Sequence, residues 1–167
     1  MSSERPGAAA SARYVGQPVL RTENPTLLKG LGQFIDDVPV TKGTLHAAIL
    51  RSPLPHADIA AIDVTQALQS RGVKAVITGK DVAALTDPLI VGFATRMEYY
   101  GIAVDRVRYV GEPVAIVCAT DRYLAEDALE QIRVDYRPRE AVVDPIRAAQ
   151  PDAPVLHPGV GSNVVMP

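Results

Sequence analysis

Two glycine pairs come first among the residues whose type and spacing could do chemistry, because glycine-rich loops cradle phosphate groups. Gly30-Leu31-Gly32 begins like the G-x-G-x-x-G fingerprint of dinucleotide-binding loops, but Ile35 stands where the third glycine is needed. Gly159-Val160-Gly161 fails in the same way, with Val164 at the third position. Neither pair follows a strand and opens a helix, and the sequence has no G-x-x-x-x-G-K-S/T loop. We therefore interpret both pairs as turn glycines.

The histidines and the acidic pair do not form a metal-binding pattern. His46, His56 and His157 are widely separated, and none has a second histidine at i+4. His46 lies within a predicted strand, which favours a packed or interfacial histidine over a ligand. Asp36-Asp37 could attract a cation, but adjacent side chains on extended backbone point to opposite faces. A turn or a surface pair is the preferred interpretation.

Nucleophiles and general bases are also without partners in the sequence. Cys118 lies in an apolar stretch, where a buried thiol is inert, and Ser52 has no G-x-S-x-G elbow around it. Glu112 could be a general base at a strand entrance, although turn chemistry or an inter-domain salt bridge is the preferred use. The pair Tyr99-Tyr100 could line a pocket or an interface, or be partly buried in the core. No catalytic constellation is complete, which favours a structural or partner-docking module.

The composition is that of a chain that folds without disulfide or metal support. Its 167 residues are enough to bury about 70% of the unfolded surface. The 17 basic and 19 acidic residues give a net charge of −2. The chain therefore has no excess of positive charge that would attract nucleic acid or an anionic membrane. One cysteine excludes an internal disulfide and an iron–sulfur cluster held by this chain alone. With no apolar run near ~20 residues and no secretory h-region, we expect a cytoplasmic protein.

The first half of the sequence predicts short strands separated by turns. Glycine and proline recur over residues 14–43, so we expect extended backbone and turns there. Apolar residues on both faces of a strand over 44–51 predict that both faces are covered. Further strands are predicted over 58–62 and 73–78. The short helices between and after them have candidate capping boxes, Asp63 with Gln66 and Thr78 with Asp81, and Gly72 is predicted to end the first helix.

The second half carries the clearest helix and the clearest strand. Residues 86–107 have no period and predict a long loop. The strand over 113–119 leads into a helix over about 121–132, capped by Thr120, whose apolar residues recur at i, i+4. A strand over 133–136 and a short helix near 144–149 follow. This strand–helix–strand order predicts an α/β (mixed α+β) core with a mixed sheet and extended terminal arms.

Four stretches, taken in order, resemble one protein family. Together they are similar to the N-terminal segment of the large, molybdenum-binding subunit of the xanthine dehydrogenase and aldehyde oxidase family. The bacterial carbon-monoxide-dehydrogenase-like branch is the most similar, and the resemblance spans about residues 15–164. The stretches are VGQPVLRTENPTLLKGLGQFIDDV (15–38), GTLHAAILRSPLPHADIAAIDV (43–64), GVKAVITGKDV (72–82) and RYVGEPVAIVCATDRYLAEDALEQIRVDYRP (108–138).

This resemblance implies an α/β-hammerhead domain, which in the family precedes much larger molybdopterin-binding domains. The family hydroxylates aldehydes and N-heterocycles or oxidises carbon monoxide. Its electrons pass from molybdenum through 2Fe–2S clusters to FAD, often on separate subunits. The family's cofactor loops and catalytic glutamate match no position in this chain. We therefore expect no catalytic, cofactor-binding or metal-binding residue here, and expect molybdopterin, the clusters and FAD on partner domains or subunits.

What the resemblance carries over is a docking role. The segment 15–38 is expected to wrap a neighbouring domain, and residues 109–113 are expected to form a fixed turn into a core strand. In that turn Gly111 relieves a backbone constraint, and Pro113 sets φ where a missing N–H costs least. The expected docking residues are Gly30, Gly32, Phe34, Asp37, Tyr109, Gly111, Glu112 and Pro113.

The predicted organisation is a flexible tail (1–13), the hammerhead domain (14–150) and an extended C-terminal arm or linker (151–167). The predicted function is a non-catalytic part of a molybdenum hydroxylase, either a split subunit or the N-terminal part of a longer chain. Its partners would be a molybdopterin-binding domain or subunit and the iron–sulfur and FAD subunits, with no nucleic acid or membrane. The alternative is a free-standing interaction or ligand-binding module. A weaker alternative is an enzyme that uses Glu112 or His56 in its own pocket.

Overall fold

The computed structural model describes residues 14, 16–91 and 97–164. The chain divides into two compact units, Met1–Thr41 and Lys42–Pro167. The predicted flexible tail over 1–13 lies outside the described residues. The predicted boundary after residue 150 stays a prediction.

The first unit contains a short helix α1, Asn24–Leu28, and a 3₁₀ turn, Ile35–Asp37. The end of α1 is a Schellman motif. The N–H of Leu31 donates to the carbonyl of Thr26 over 3.0 Å, and the N–H of Gly30 donates to the carbonyl of Leu27 over 3.1 Å. The sequence predicted turns here but not the helix, because its 5 residues are too few to show a period.

The second unit is built from short strands and helices, which confirms the mixed α/β class. Its longest described helix is α4, which follows the central strand β7. In chain order the elements are β1 His46–Arg51, β2 Ala57–Asp63, α2 Thr65–Gln69, β3 Val73–Thr78, α3 Gly79–Leu85, β4 Leu89–Val91, β5 Met97–Tyr99, β6 Arg106–Val107, β7 Pro113–Ala119, α4 Arg122–Leu129, β8 Arg133–Pro138 and α5 Pro145–Ala148. No helix among the described residues is long and apolar enough to cross a membrane.

The strands form three antiparallel sheets. Sheet A has the order β1-β7-β3, sheet B the order β6-β2-β8, and β4 pairs with β5. Each described pairing is antiparallel, so the predicted mixed sheet is wrong in strand direction. The strands on either side of α4 also lie in different sheets. Because β1 and β3 already occupy both edges of β7, β8 pairs with β2 instead.

The core has two apolar clusters. The first lies between α4 and one face of sheet A, where Ala48, Ala115 and Val117 meet Ala125 and Ala128. Alanine at these positions lets the helix approach the sheet closely. The second cluster, Ala57, Ala103, Val107 and Val114, lies beside sheet B, and side chains packed against both clusters join the two sheets.

Two of the predicted helix caps are wrong, as the observed N-termini of α4 and α2 show. Helix α4 begins after Asp121 rather than Thr120, because the Asp121 carboxylate accepts from the N–H of Tyr123 over 2.9 Å. It ends at Leu129, three residues before the predicted end, in a turn. Helix α2 has no capping box, since the Asp63 carboxylate accepts from the N–H of Thr65 instead.

The capping box predicted for α3 is confirmed, whereas the predictions for Gly72 and for the loop over 86–107 are only partly right. The capping box of α3 is confirmed, with the Asp81 carboxylate accepting from the N–H of Thr78 over 2.7 Å. Gly72 has the predicted left-handed conformation, φ +78°, but α2 already ends at Gln69. The loop predicted over 86–107 contains β4, β5 and β6, whose two or three residues are too short to show an alternation.

Asp58 on β2 joins three strand ends of sheet B. Its carboxylate accepts from Nε of Arg106 over 2.7 Å and from Nε of Arg139 over 2.6 Å. Arg106 lies on β6, and Arg139 follows β8. The hydrogen bond from Arg106, reinforced by Arg139, holds the pKa of Asp58 below its ordinary value of 3.8.

Replacing Asp58 with asparagine should lower the free energy of unfolding near pH 7. A carboxyl whose pKa is lowered in the folded state stabilises the protein above its unfolded pKa. This stabilisation is lost as the pH falls through the folded value, so wild type and Asp58→Asn should converge in acid. Denaturant unfolding over a pH series measures the difference, with Asp127→Asn on the exposed face of α4 as the control. A difference that does not change between neutral and strongly acidic pH would contradict this account.

Candidate docking site

The predicted turn before β7 is closed by a buried carboxylate. The side chain of Glu112 is 1% exposed, and its Oε2 accepts from the N–H of Arg108. The N–H of Tyr109 is a second backbone donor to this carboxylate. Burial raises the pKa of Glu112, and the hydrogen bond from Arg108 opposes that rise. Glu112 is thus committed to the backbone of its own turn.

The same turn is joined to the end of β1. The N–H of Gly111 donates to the carbonyl of Ser52 over 2.8 Å, and the N–H of Ser52 donates to the carbonyl of Glu112 over 2.9 Å. Gly111 has φ +90°, a conformation that side-chain-bearing residues rarely adopt. Pro113 opens β7, and its carbonyl accepts from the N–H of Ala103 over 2.8 Å. Sequence reasoning missed Ser52, because a serine in a proline-rich corner gives no signal of a long-range backbone partner.

Tyr109 contacts Tyr99, a residue that lines a cleft of the second unit. Its hydroxyl lies 3.0 Å from that of Tyr99, and this hydrogen bond raises the pKa of Tyr99 to about 12. The cleft has a volume of about 620 Å³. Tyr99, Tyr100, Arg108, Glu112 and His157 are among its lining residues. Of the roles considered for Tyr99-Tyr100, the structure shows a place in a pocket lining together with partial burial, since both tyrosines line the cleft and both are half-buried.

The far wall of the cleft comes from the C-terminal segment. Arg108 donates from Nε to the carbonyl of Leu156 over 3.2 Å, which ties this segment to the turn. Asn163 accepts from the N–H of Leu156 over 2.9 Å and donates to the carbonyls of Ala148 and Pro154. Burial, followed by the charge of Arg108, lowers the pKa of His157. The described part of the predicted extended arm, 151–164, is therefore a series of turns held by Asn163.

Another buried polar side chain, His56, lies outside the cleft lining. It is 3% exposed, and its Nδ1 lies 2.6 Å from the carbonyl of Glu140. Since a carbonyl only accepts, Nδ1 donates and links the corner after β1 to the end of β8. Nε2 is buried with no hydrogen-bond partner among the described residues. His56 and Glu112 thus both bond to backbone groups, and of the two only Glu112 lines the cleft.

The described side chains do not fit an iron–sulfur cluster or another metal centre ligated by the protein itself. Among the described residues, no group of three or more His, Cys, Asp or Glu side chains could hold a metal ion. Cys118 is the one cysteine of the sequence, and it is partly exposed rather than fully buried as predicted.

The other four predicted docking residues lie in the first unit. Gly30 completes the Schellman motif with φ +68°. A Cβ on Gly32 would meet the Leu27 side chain at 2.7 Å, so this glycine leaves room for that side chain. The Asp37 carboxylate accepts from the N–H of Phe34 over 3.0 Å, which confirms Asp36-Asp37 as part of a turn.

Apolar side chains of the first unit are exposed. Phe34 is 67% exposed and Ile35 is 91% exposed, although both belong to an ordered turn. Contiguous exposed apolar patches mark interaction sites on soluble proteins, so Phe34 and Ile35, which are neighbours in the chain, are candidate contacts for a partner. Further exposed apolar residues of this unit are Val19, Leu20, Leu28, Leu31, Val38 and Val40.

Comparisons with known proteins identify the domain. The family profile described as "Aldehyde oxidase and xanthine dehydrogenase, a/b hammerhead domain" matches residues 29–140, more than half of the chain. The 6-hydroxypseudooxynicotine dehydrogenase complex subunit gamma of Paenarthrobacter nicotinovorans is 39% identical over 158 residues, which are 90% of this chain and 20% of that subunit.

Two solved structures contain the same fold. Quinoline 2-oxidoreductase from Pseudomonas putida 86 superposes with a TM-score of 0.74 at 40% identity, over 81% of this chain and 18% of that one. A Cu,Mo-CO dehydrogenase superposes with a TM-score of 0.71 at 35% identity, over 83% of this chain and 17% of that one. The chain thus spans about a fifth of the length of the relatives it matches. It belongs to the aldehyde oxidase and xanthine dehydrogenase family, whose α/β hammerhead domain it contains.

Proposed function

We propose that this chain is the non-catalytic docking part of a cytoplasmic molybdenum hydroxylase. It would hold a molybdopterin-binding domain or subunit, while iron–sulfur clusters and FAD reside on further partners. The reaction of the whole assembly would be the oxidation of an aldehyde, an N-heterocycle or carbon monoxide. Its relatives support this role, since the same domain is about a fifth of subunits named as dehydrogenases and oxidoreductases.

The observation that carries the proposal is the exposed apolar surface of the first unit. Glu112 and His56 are hydrogen-bonded to backbone groups, and the Asp58 carboxylate is paired with Arg106 and Arg139, so these three side chains hold the fold together. Phe34 and Ile35 are instead held in an ordered turn with their side chains exposed. An ordered apolar surface loses little conformational entropy when it is covered, which favours tight association.

Co-expression of the chain with the reading frames that flank its own in the genome tests this function. Native mass spectrometry should find the wild-type chain in a complex that carries molybdopterin. Replacing Phe34 with aspartate should weaken that complex about 30-fold or more, the effect of losing a central apolar contact. Val143→Asp is the control, because Val143 is also an exposed apolar residue, 90% exposed, but lies in the second unit. A wild-type chain that never associates with such a partner would rule the function out.

The cleft of about 620 Å³ supports a second candidate, a free-standing ligand-binding module. Its volume is in the range of small-molecule pockets, and its lining combines tyrosines with charged groups. The two candidates differ in genomic setting and in mass. A monomer with a bound small molecule would favour the module, and a heteromer with a molybdopterin-binding partner would favour the docking part.

A further inference from the structure

Sheet A has a second apolar face. The register aligns Ile49, Ile116 and Ile77 in one row across its three strands. The neighbouring row is Ala47, Cys118 and Ala75. We call these six residues the outer face. A ridge of three isoleucines thus runs beside a shallower row of small side chains.

The outer face is opposite the face that α4 covers. In each strand its residues alternate with those of the first core cluster, such as Ala48 and Val117. None of the six belongs to either core cluster or to the side chains packed against one. Ile49 remains 39% exposed, and Cys118 at the centre of the sheet is partly exposed. An antiparallel sheet commonly leaves one polar face to solvent, whereas the outer face is apolar, so it calls for a further layer that neither core cluster of the described residues supplies.

We propose that the outer face docks an apolar surface of the molybdopterin-binding partner, which supplies the missing layer. This inference rests on the proposed function and adds the surface by which the second unit takes part. The relatives argue for this occupant, because the same fold there makes up only 17–20% of a chain. The remaining four-fifths of such a polypeptide is ample to cover a sheet. The two rows contain no charge, which matches the largely apolar interfaces of permanent complexes.

Cys118 makes this face directly measurable, because it is the one cysteine in the sequence. A maleimide should label it in the isolated chain under native conditions. In the purified complex the labelling rate should fall at least about 10-fold. Mass spectrometry of the same samples reports whether the complex is present, so complex formation and protection are read separately.

A charge on the ridge gives an independent readout. Ile49→Lys lies on edge strand β1, where the long lysine stem can reach water, so the chain should still fold. We expect at least about a 30-fold loss of affinity for the partner. Leu85→Lys, at an 84% exposed position at the end of α3, should bind like wild type. Circular dichroism of both variants checks folding, and Ala47→Asp on the same face is the second variant if Ile49→Lys fails to fold.

Four results would overturn the inference. If the complex forms but Cys118 reacts as fast as in the isolated chain, the outer face is not the docking surface, while the proposed function stands. If Cys118 is protected in the isolated chain and reacts only after denaturation, the chain covers this face itself. If protection of the isolated chain grows with its concentration, a second copy is the occupant. If no complex forms at all, the docking function and this inference both fail.

Discussion

Replacing Gly79 with alanine should lower the free energy of unfolding by about 3 kcal/mol. Gly79 is buried at the first position of α3. A Cβ placed there would lie 2.1 Å from the carbonyl oxygen of Ala103 and 2.8 Å from Cα of Val104. Both are backbone atoms, so no rotamer change can relieve the overlap. The substitution forces α3 away from the segment that leads into β6.

Helix propensity acts in the opposite direction but is smaller. Alanine is favoured over glycine inside a helix by about 1 kcal/mol at most. Overpacking against backbone is at the upper end of the 1–3 kcal/mol range, so the clash outweighs the propensity gain. Denaturant unfolding of the full chain measures the net effect.

Gly101→Ala is the matched control for Gly79→Ala. A Cβ at Gly101 would meet nothing within 4 Å, and its backbone does not have a positive φ. This variant should unfold within about 0.5 kcal/mol of wild type. Equal stability of the two variants would mean that the contact between Gly79 and Ala103 does not limit the packing.

The parts of the fold that the sequence predicts are those with a local physical cause. Strand β7 is predicted well because its apolar run and the helix after it are both long enough to show a pattern. The capping box of Thr78 and Asp81 is predicted because both partners lie within one turn. The short strands β4 and β6 are missed, since they are stabilised only by partners distant in sequence. Sheet membership is likewise decided by which strand edge is free, and no local pattern records that.

In the candidate docking site, too, the features with a local cause are predicted and the long-range contacts are not. The turn residues Gly111 and Pro113 are recognisable because their backbone preferences are local. The bonds that fix this turn to Ser52 and to Leu156 join positions far apart in the chain, so no spacing rule could find them. The prediction that β1 is covered on both faces is the informative disagreement. The apolar residues on both faces of β1 call for a second layer over sheet A, and none of the six outer-face residues belongs to a core cluster of the described residues.

Replacing Glu112 with alanine should cost about 2 kcal/mol of unfolding free energy. The carboxylate accepts from the N–H groups of Arg108 and Tyr109, and its side chain is 1% exposed. Removing it leaves buried donors without an acceptor, which costs about 1–3 kcal/mol. Glu112→Gln keeps the size of the side chain and one acceptor oxygen. Near neutral pH it should therefore lose clearly less unfolding free energy than Glu112→Ala. Glu126→Ala, on the exposed side of α4, is the control and should be close to neutral.

The pH dependence of the Glu112→Gln comparison separates burial from hydrogen bonding. Burial raises the folded pKa of Glu112 above its ordinary value of 4.5. A group with a raised pKa stabilises the fold fully below the unfolded pKa, and this contribution is lost as the pH rises through the folded pKa. Glutamine does not titrate in this range. The free energy of unfolding of wild type should therefore exceed that of Glu112→Gln most at acidic pH, and this difference should shrink toward neutral pH. An excess that grows with pH would show that the backbone donors outweigh desolvation, and that the turn before β7 is held by an ionised carboxylate with a lowered pKa.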